Sequence, residues 1–233
     1  MSVAVYVPDE AALLDLHARI EGQPRVFRDA VALHLLMESA PHNRQYPMNR
    51  MRNLALTNVD TQYFFNDDVD FMPSQNAHDL IRRFMANNTD PHRHHAFYVL
   101  PAFEAFGDET GVVTSLKYIP QTRELLRKAL DARTVAGFHM EYNAKGQNAS
   151  NYDRWYACQD EMETYPIQYQ WMYEPYVVGS RLAMHLFDDR LRGFGEWRPR
   201  VVLMCTCVHI YVYMYVSMYV HISYLAEVYA SNW

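Results

Sequence analysis

The chain has 233 residues, 50% apolar and 21% charged, with only 8 glycines. That is enough chain to bury a core as one large domain or two small ones, and it excludes a collagenous, low-complexity or linker-dominated protein. A formal net charge of -6 with no basic tract argues against nucleic acid as a partner, and Cys158, Cys205 and Cys207 cannot form a disulfide framework.

In chain order, Ser2–Val7 is rich in Val, ends at Pro8-Asp9 and predicts a strand. The opening segment has no basic leader and its apolar run stops at Pro8, so it does not read as a signal peptide. Glu10–Glu21 places Leu13, Leu14, Leu16 and Ile20 at helical spacings between charges. Val31–Met37 predicts a buried strand. Pro47 opens a helix with Met48, Met51, Leu54 and Ala55 on one face. Thr61–Phe65 predicts a strand and Asn76–Met85 a helix capped by Ser74 or Asn76. Phe97–Leu100 predicts a strand, Gln121–Leu130 a helix after Pro120, and Tyr176–Val178 a short strand. Strands alternating with helices imply an α/β protein with a mixed sheet and a largely parallel core, in which ligands collect at carboxyl ends of strands.

The third of these strands runs into an acidic cluster, "QYFFNDDVDFMPS". Along a strand, residues i and i+2 share a face, so Asp68 and Asp70 would point together and Asp67 away. Two such carboxylates can converge on a hard divalent cation, Mn²⁺ or Mg²⁺, or they can be a solvated turn. Elsewhere, Asn49, Arg52 and Asn53 lie at helical spacings, and Arg52 could meet a phosphate or water. His92, His94 and His95 read as a surface loop, and Arg192–Gly195 as a glycine turn. There is no G-x-S-x-G, H-E-x-x-H or phosphate-loop motif. Sequons occur at Asn87 and Asn148.

Residues 201–226 contain no Asp, Glu, Lys or Arg. Three readings fit: a membrane helix crowded with tyrosines, a pair of buried or aggregation-prone strands, or translated repetitive DNA, since the recurring residues have codons built from alternating T/A and T/G.

In order, "YPMNRMRNLAL", "FFNDDVDFMP", "VLPAFE", "EPYVV" and "FDDRLRGFG" resemble the segments of glycosyltransferase family 49, the family of xylosyl/glucuronyltransferases acting on dystroglycan glycans. The resemblance covers most of residues 2–196. It implies a GT-A type nucleotide-sugar-binding domain over residues 1–200, followed by the anomalous tail 201–233. It implies a metal-dependent, inverting transfer of a glucuronate- or xylose-class sugar from a UDP-sugar to a glycan or glycoprotein acceptor, in the Golgi. On that resemblance Asp68 and Asp70 bind Mn²⁺ or Mg²⁺, Asn49, Arg52, Asn53 and Glu104 lie on the donor side, and Glu174, Gly193, Phe194 and Gly195 face the acceptor.

An inverting transfer needs a base for the acceptor hydroxyl, and Glu196 is the candidate by analogy; the same residue reads equally as a surface glutamate. The chain departs from the family at Glu196-Trp197-Arg198, where an aromatic, Asn or Asp, and Lys are usual, and at Gly146-Gln147, where Gly-His is expected. The late segment carrying a metal-binding histidine is not recognisable, and His209 echoes it only faintly. A piece of a catalytic domain is therefore expected, without the family's membrane anchor, so that membrane association would need residues 201–226 or a segment outside the chain. The rival expectation is a catalytically impaired relic that at most binds nucleotide.

Overall fold

The computed structural model describes residues 1–37, 46–68, 71–106, 119–141, 143–159 and 163–190, together with the backbone of 209–213 and 220–221. The chain divides into two units, one formed by Met1–Phe64 with His185–Val201, the other by Phe65–Met184 with Val202–Trp233.

The first unit is built on a parallel strand pair. Strand β1 (Ser2–Val7) runs beside β2 (Ala32–Met37), from Ser2 opposite Ala32 to Val7 opposite Met37. A parallel pair needs a crossover, supplied here by helices α1 (Glu10–Glu21) and α2 (Arg25–Ala30). Asp9 starts α1, its extended backbone leaving the side chain free to accept from Ala12 N at 2.8 Å. Helix α3 (Met48–Thr57) follows Pro47 and buries Asn49, Met51 and Leu56. It is tied to β1 by the Ser2 hydroxyl, which donates to Ala55 O at 2.7 Å. Strand β3 (Tyr63–Phe65) starts two residues later than expected, because Thr61 folds back and its hydroxyl donates to Tyr63 O at 2.6 Å.

The second unit holds the described hydrophobic core. After β4 (Phe71–Met72) comes α4 (Ala77–Asn87), whose Ala77, Leu80, Phe84 and Met85 form one buried stripe. Asn76 occupies the cap position without a side-chain cap bond; Ala77 N instead donates to Ser74 O at 2.9 Å. Strand β5 (Ala96–Leu100) is buried at all five residues, as a strand covered on both faces must be. Phe84 meets Tyr98 edge-on at 4.9 Å, which seats α4 against it. Then follow β6 (Phe103–Ala105), α5 (Arg123–Asp131), β7 (Val135–Gly137), α6 (Tyr152–Ala157), β8 (Thr164–Pro166) and β9 (Tyr176–Ser180). Thr122 caps α5 by accepting from Leu125 N at 3.3 Å.

The charge-free run supplies two more strands, β10 (His209–Tyr213) and β11 (Val220–His221). β10 lies between β5, to which it is parallel, and β8, to which it is antiparallel. β11 lies between β6, parallel, and β4, antiparallel. β5 also pairs antiparallel with β9, and β6 with β7. The two sheets of the second unit are thus mixed, and the expected largely parallel core does not hold there: β5–β9, β6–β7, β8–β10 and β4–β11 all pair antiparallel. Among the described residues no helix is long and apolar enough to cross a membrane.

The core of this unit gathers Val99, Phe103, Leu126 and Trp155, with Tyr165 and Tyr173 fully buried beside them. Trp155 is central, its ring 4.9 Å from Phe103 and 5.1 Å beneath the Arg123 guanidinium. Arg123 in turn donates to Trp155 O and Cys158 O at 3.0 and 2.7 Å, which closes the end of α6.

Candidate functional site

In the first unit, helical spacing puts Asn49 and Asn53 one turn apart on α3, and both reach the segment 187–188. Asn49 Nδ2 donates to Asp188 O at 2.9 Å, and Asn49 is only 2% exposed. Asn53 Nδ2 donates to Phe187 O and its Oδ1 accepts from Phe187 N, both at 2.8 Å. Arg52 sits over the Phe187 ring at 5.6 Å. Three of the four residues expected on the donor side, Asn49, Arg52 and Asn53, therefore all contact the segment 187–188. Asp188 is held by Arg190 in a two-pronged ion pair at 2.8 and 2.7 Å, and the carboxylate raises the Arg190 guanidinium above its usual range. Gly193, Phe194, Gly195 and Glu196 lie outside the described residues.

In the second unit, the described part of the acidic segment is fixed by two main-chain bonds. Asn66 N donates to Val177 O at 3.0 Å and Phe71 N donates to Asp68 O at 3.2 Å. The described strand β3 ends at Phe65, three residues before Asp68. Asp67 is exposed and Asp68 half-buried. Asp70 lies outside the described residues. The Tyr176 hydroxyl donates to Asp68 Oδ2 at 3.5 Å, while the Tyr176 ring packs on Phe71 at 4.5 Å and Phe71 meets Phe138 edge-on at 4.8 Å. In the sequence Tyr176 reads as the start of a short strand; its hydroxyl lies beside Asp68 because β9 packs next to this segment.

Glu104 is buried in β6, opposite Ala136 of β7 and His221 of β11. Its carboxylate is close enough to act on Tyr152. Burial pushes the Tyr152 hydroxyl well above the usual tyrosine range, with smaller contributions from Tyr173, Glu104 and Tyr165, against which the Phe138 N–H works. Tyr152 donates to Ala102 O at 2.6 Å, the same carbonyl that accepts from Phe138 N at 3.0 Å.

Glu174 is half-buried and anchored through its main chain: its N donates to Gly146 O at 2.8 Å, and its O accepts from Gln147 Nε2 at 2.9 Å. Gln147, which stands where a histidine was expected, is 2% exposed and spends its amide on this contact. His92, His94 and His95 lie on a single 3-10 turn at Arg93–His95 and its first flank. Among the described residues no three His, Cys, Asp or Glu side chains cluster as a metal site. Asp68 itself offers hard oxygen donors at an accessible loop, chemistry that suits Mg²⁺ or Mn²⁺.

A mixed α/β chain with an aspartate loop at the end of a short strand belongs to a common class of ligand-binding architectures. Residues 28–219 match the family described as glycosyl-transferase for dystroglycan. The chain belongs to that family, glycosyltransferase family 49. It is 33% identical over 199 residues to the xylosyl- and glucuronyltransferase LARGE2 of Mus musculus, covering 84% of this chain and 26% of the relative. The Homo sapiens LARGE2 is likewise 33% identical, with 84% and 25% covered. The glycosyltransferase-like protein gnt14 of Dictyostelium discoideum is 26% identical over 196 residues, with 84% and 28% covered. The chain thus spans about a quarter of the length of these relatives.

Proposed function

We propose that the chain is the catalytic segment of a GT-A type, metal-dependent, inverting glycosyltransferase. It moves a glucuronate- or xylose-class sugar from a UDP-sugar to a glycan or glycoprotein acceptor, in the Golgi lumen. The observation that carries this reading is the setting of Asp68: a half-buried carboxylate beside the Tyr176 hydroxyl, with Asp68 O accepting from Phe71 N and the nearby Asn66 N donating to Val177 O of β9. Family membership supports sugar transfer as the reaction class.

On this reading Asp68 and Asp70 would hold Mn²⁺ or Mg²⁺, whose chemistry there would be charge neutralisation for a leaving diphosphate. Tyr176 keeps Asp68 oriented, and the packing of Phe71 on Phe138 fixes the base of the loop. Asn49 and Asn53 hold the 187–188 main chain, and with Arg52 and Glu104 they form the donor side. Glu196 keeps its assignment as the base for the acceptor hydroxyl, on its position after the glycine turn.

Titration calorimetry of the full chain with UDP, with and without Mn²⁺, tests the reading. Metal-dependent UDP binding that is lost in both Asp68→Ala and Asp70→Ala is the expected result. UDP binding indifferent to metal, or retained in both variants, overturns it.

A further inference from the structure

The second unit contains a cavity of about 470 Å³ outside the Asp68 loop. Its wall is unusually rich in uncommitted polar groups. Asn148, Gln168 and Gln170 line it, and among the described residues their side-chain amides make no hydrogen bond. Asp153 and Arg154 line it as well, and neither forms an ion pair there. Arg154 is not loose, since its guanidinium stacks over the Tyr165 ring at 4.3 Å. Tyr165 is itself pinned, donating its hydroxyl to Ser150 O at 2.6 Å, while the Ser150 hydroxyl is paired with Tyr173 at 2.8 Å. Asn151 stands in the left-handed region, φ 54°, with its Oδ1 accepting from Arg154 N at 3.1 Å. The polar wall therefore rests on Tyr165, Ser150 and Tyr173, which are buried and hydrogen-bonded to one another or to the main chain.

Amide, carboxylate and guanidinium groups at a concave site match the vicinal hydroxyls of a sugar ring, each of which both donates and accepts. The apolar complement is present too, in Met140, Ile167 and the Tyr152 ring. Tyr152 also links the cavity to β6, because its hydroxyl bonds Ala102 O two residues before Glu104. We propose that this cavity is a saccharide subsite that holds one pyranose unit of the acceptor chain. The assignment to the acceptor rests on the transferase reading above; the binding of a pyranose does not.

The probe is a free disaccharide of glucuronate and xylose, the two sugars that the LARGE2 relatives' name pairs. Asn148 begins a sequon and is exposed, and a glycan there would fill the same space, so the full chain is prepared without N-glycans. Binding is followed by saturation-transfer NMR and titration without donor. The variant Gln168→Ala/Gln170→Ala changes only exposed side chains and leaves folding intact. We expect the wild-type chain to bind the disaccharide and the double variant to bind it at least tenfold more weakly. UDP and Mn²⁺ binding stays unchanged in the variant. Unaltered disaccharide affinity in the variant, or no binding by the wild-type chain at millimolar ligand, overturns the subsite. Disaccharide binding that is lost in the variant, in a chain that binds no UDP, keeps the subsite and sinks the transferase reading instead.

Discussion

Asn53 grips Phe187 from both sides of one peptide plane's neighbours: its amide nitrogen donates to Phe187 O and its amide oxygen accepts from Phe187 N, each at 2.8 Å. The two residues are 134 positions apart, and no other side chain type of that size presents a donor and an acceptor together in this way. Asn53→Ala leaves both main-chain groups of Phe187 without this partner in a half-buried setting, which costs about 1–3 kcal/mol. Asn53→Asp keeps the shape but loses the donor and sets a carboxylate against a carbonyl. Urea denaturation should rank the three chains wild type, then the two variants, with no change in far-UV circular dichroism before unfolding.

The Tyr176 hydroxyl touches Asp68, while its ring packs on Phe71. Tyr176→Phe keeps the ring and removes the orienting group. Partners of this kind change metal affinity by on the order of 10-fold or more. Calorimetry should therefore show weaker Mn²⁺-dependent UDP binding with an unchanged urea midpoint.

Trp155 is fully buried, and its indole N–H has no hydrogen-bond partner among the described residues. Trp155→Ala opens a large cavity against Phe103 and should cost about 3–5 kcal/mol. Trp155→Phe loses less volume and also removes an unsatisfied donor, so its denaturation midpoint should fall between those of the wild type and the alanine variant.

Gly137 ends β7 where a Cβ would stand 2.9 Å from both Met140 Cγ and Tyr152 Cε2. Tyr152 cannot swing away without breaking its bond to Ala102. Gly137→Ala should therefore destabilise the chain and weaken disaccharide binding, since Met140 and Tyr152 both line the cavity. Equal disaccharide affinity in this variant would show that the two side chains yield elsewhere.

Burial raises the hydroxyls of both Tyr152 and Tyr165 above the ordinary tyrosine value of about 10. The unfolded chain gives up these protons first. Their contribution to stability is therefore fully present below about pH 10 and is lost as pH rises beyond it. The urea midpoint should fall above pH 10, and tyrosinate absorbance should show a late, cooperative component that coincides with unfolding.

Much of this was legible in residue order. Asp9 before an amphipathic run marks the start of α1, and Pro47 marks that of α3. β5 reads as a strand from its apolar run and is buried throughout, whereas β2, which reads as buried, has no buried residue in the structure. The short elements β4, β6 and β7 are two or three residues each and carry no periodicity to detect. β10 and β11 were ambiguous because a charge-free run of Val, Tyr and Met satisfies helix and strand patterns alike. At the site, the sequence singled out Asp68 and Asp70 by strand alternation; the described strand stops at Phe65, and the Tyr176 hydroxyl beside Asp68 left no signal in residue order. The double duty of Asn53 could not be foreseen, because its partner is distant in sequence and is a backbone group, which leaves no side-chain signature. The cavity was invisible for the same reason: Asn148, Arg154 and Gln168 become neighbours only when α6 packs beside β8.

The position of β10 has a consequence for biosynthesis. β5 and β8 both leave the ribosome well before the strand that will lie between them. Throughout that interval each offers an open row of amides and carbonyls to any other extended chain. The sheet closes only when residues 209–213 emerge, so a nascent chain that stalls or is cut short before them carries the rest of the unit without its keystone. A chaperone that shields the β5 edge during synthesis would act on a seam that stays open until residues 209–213 emerge.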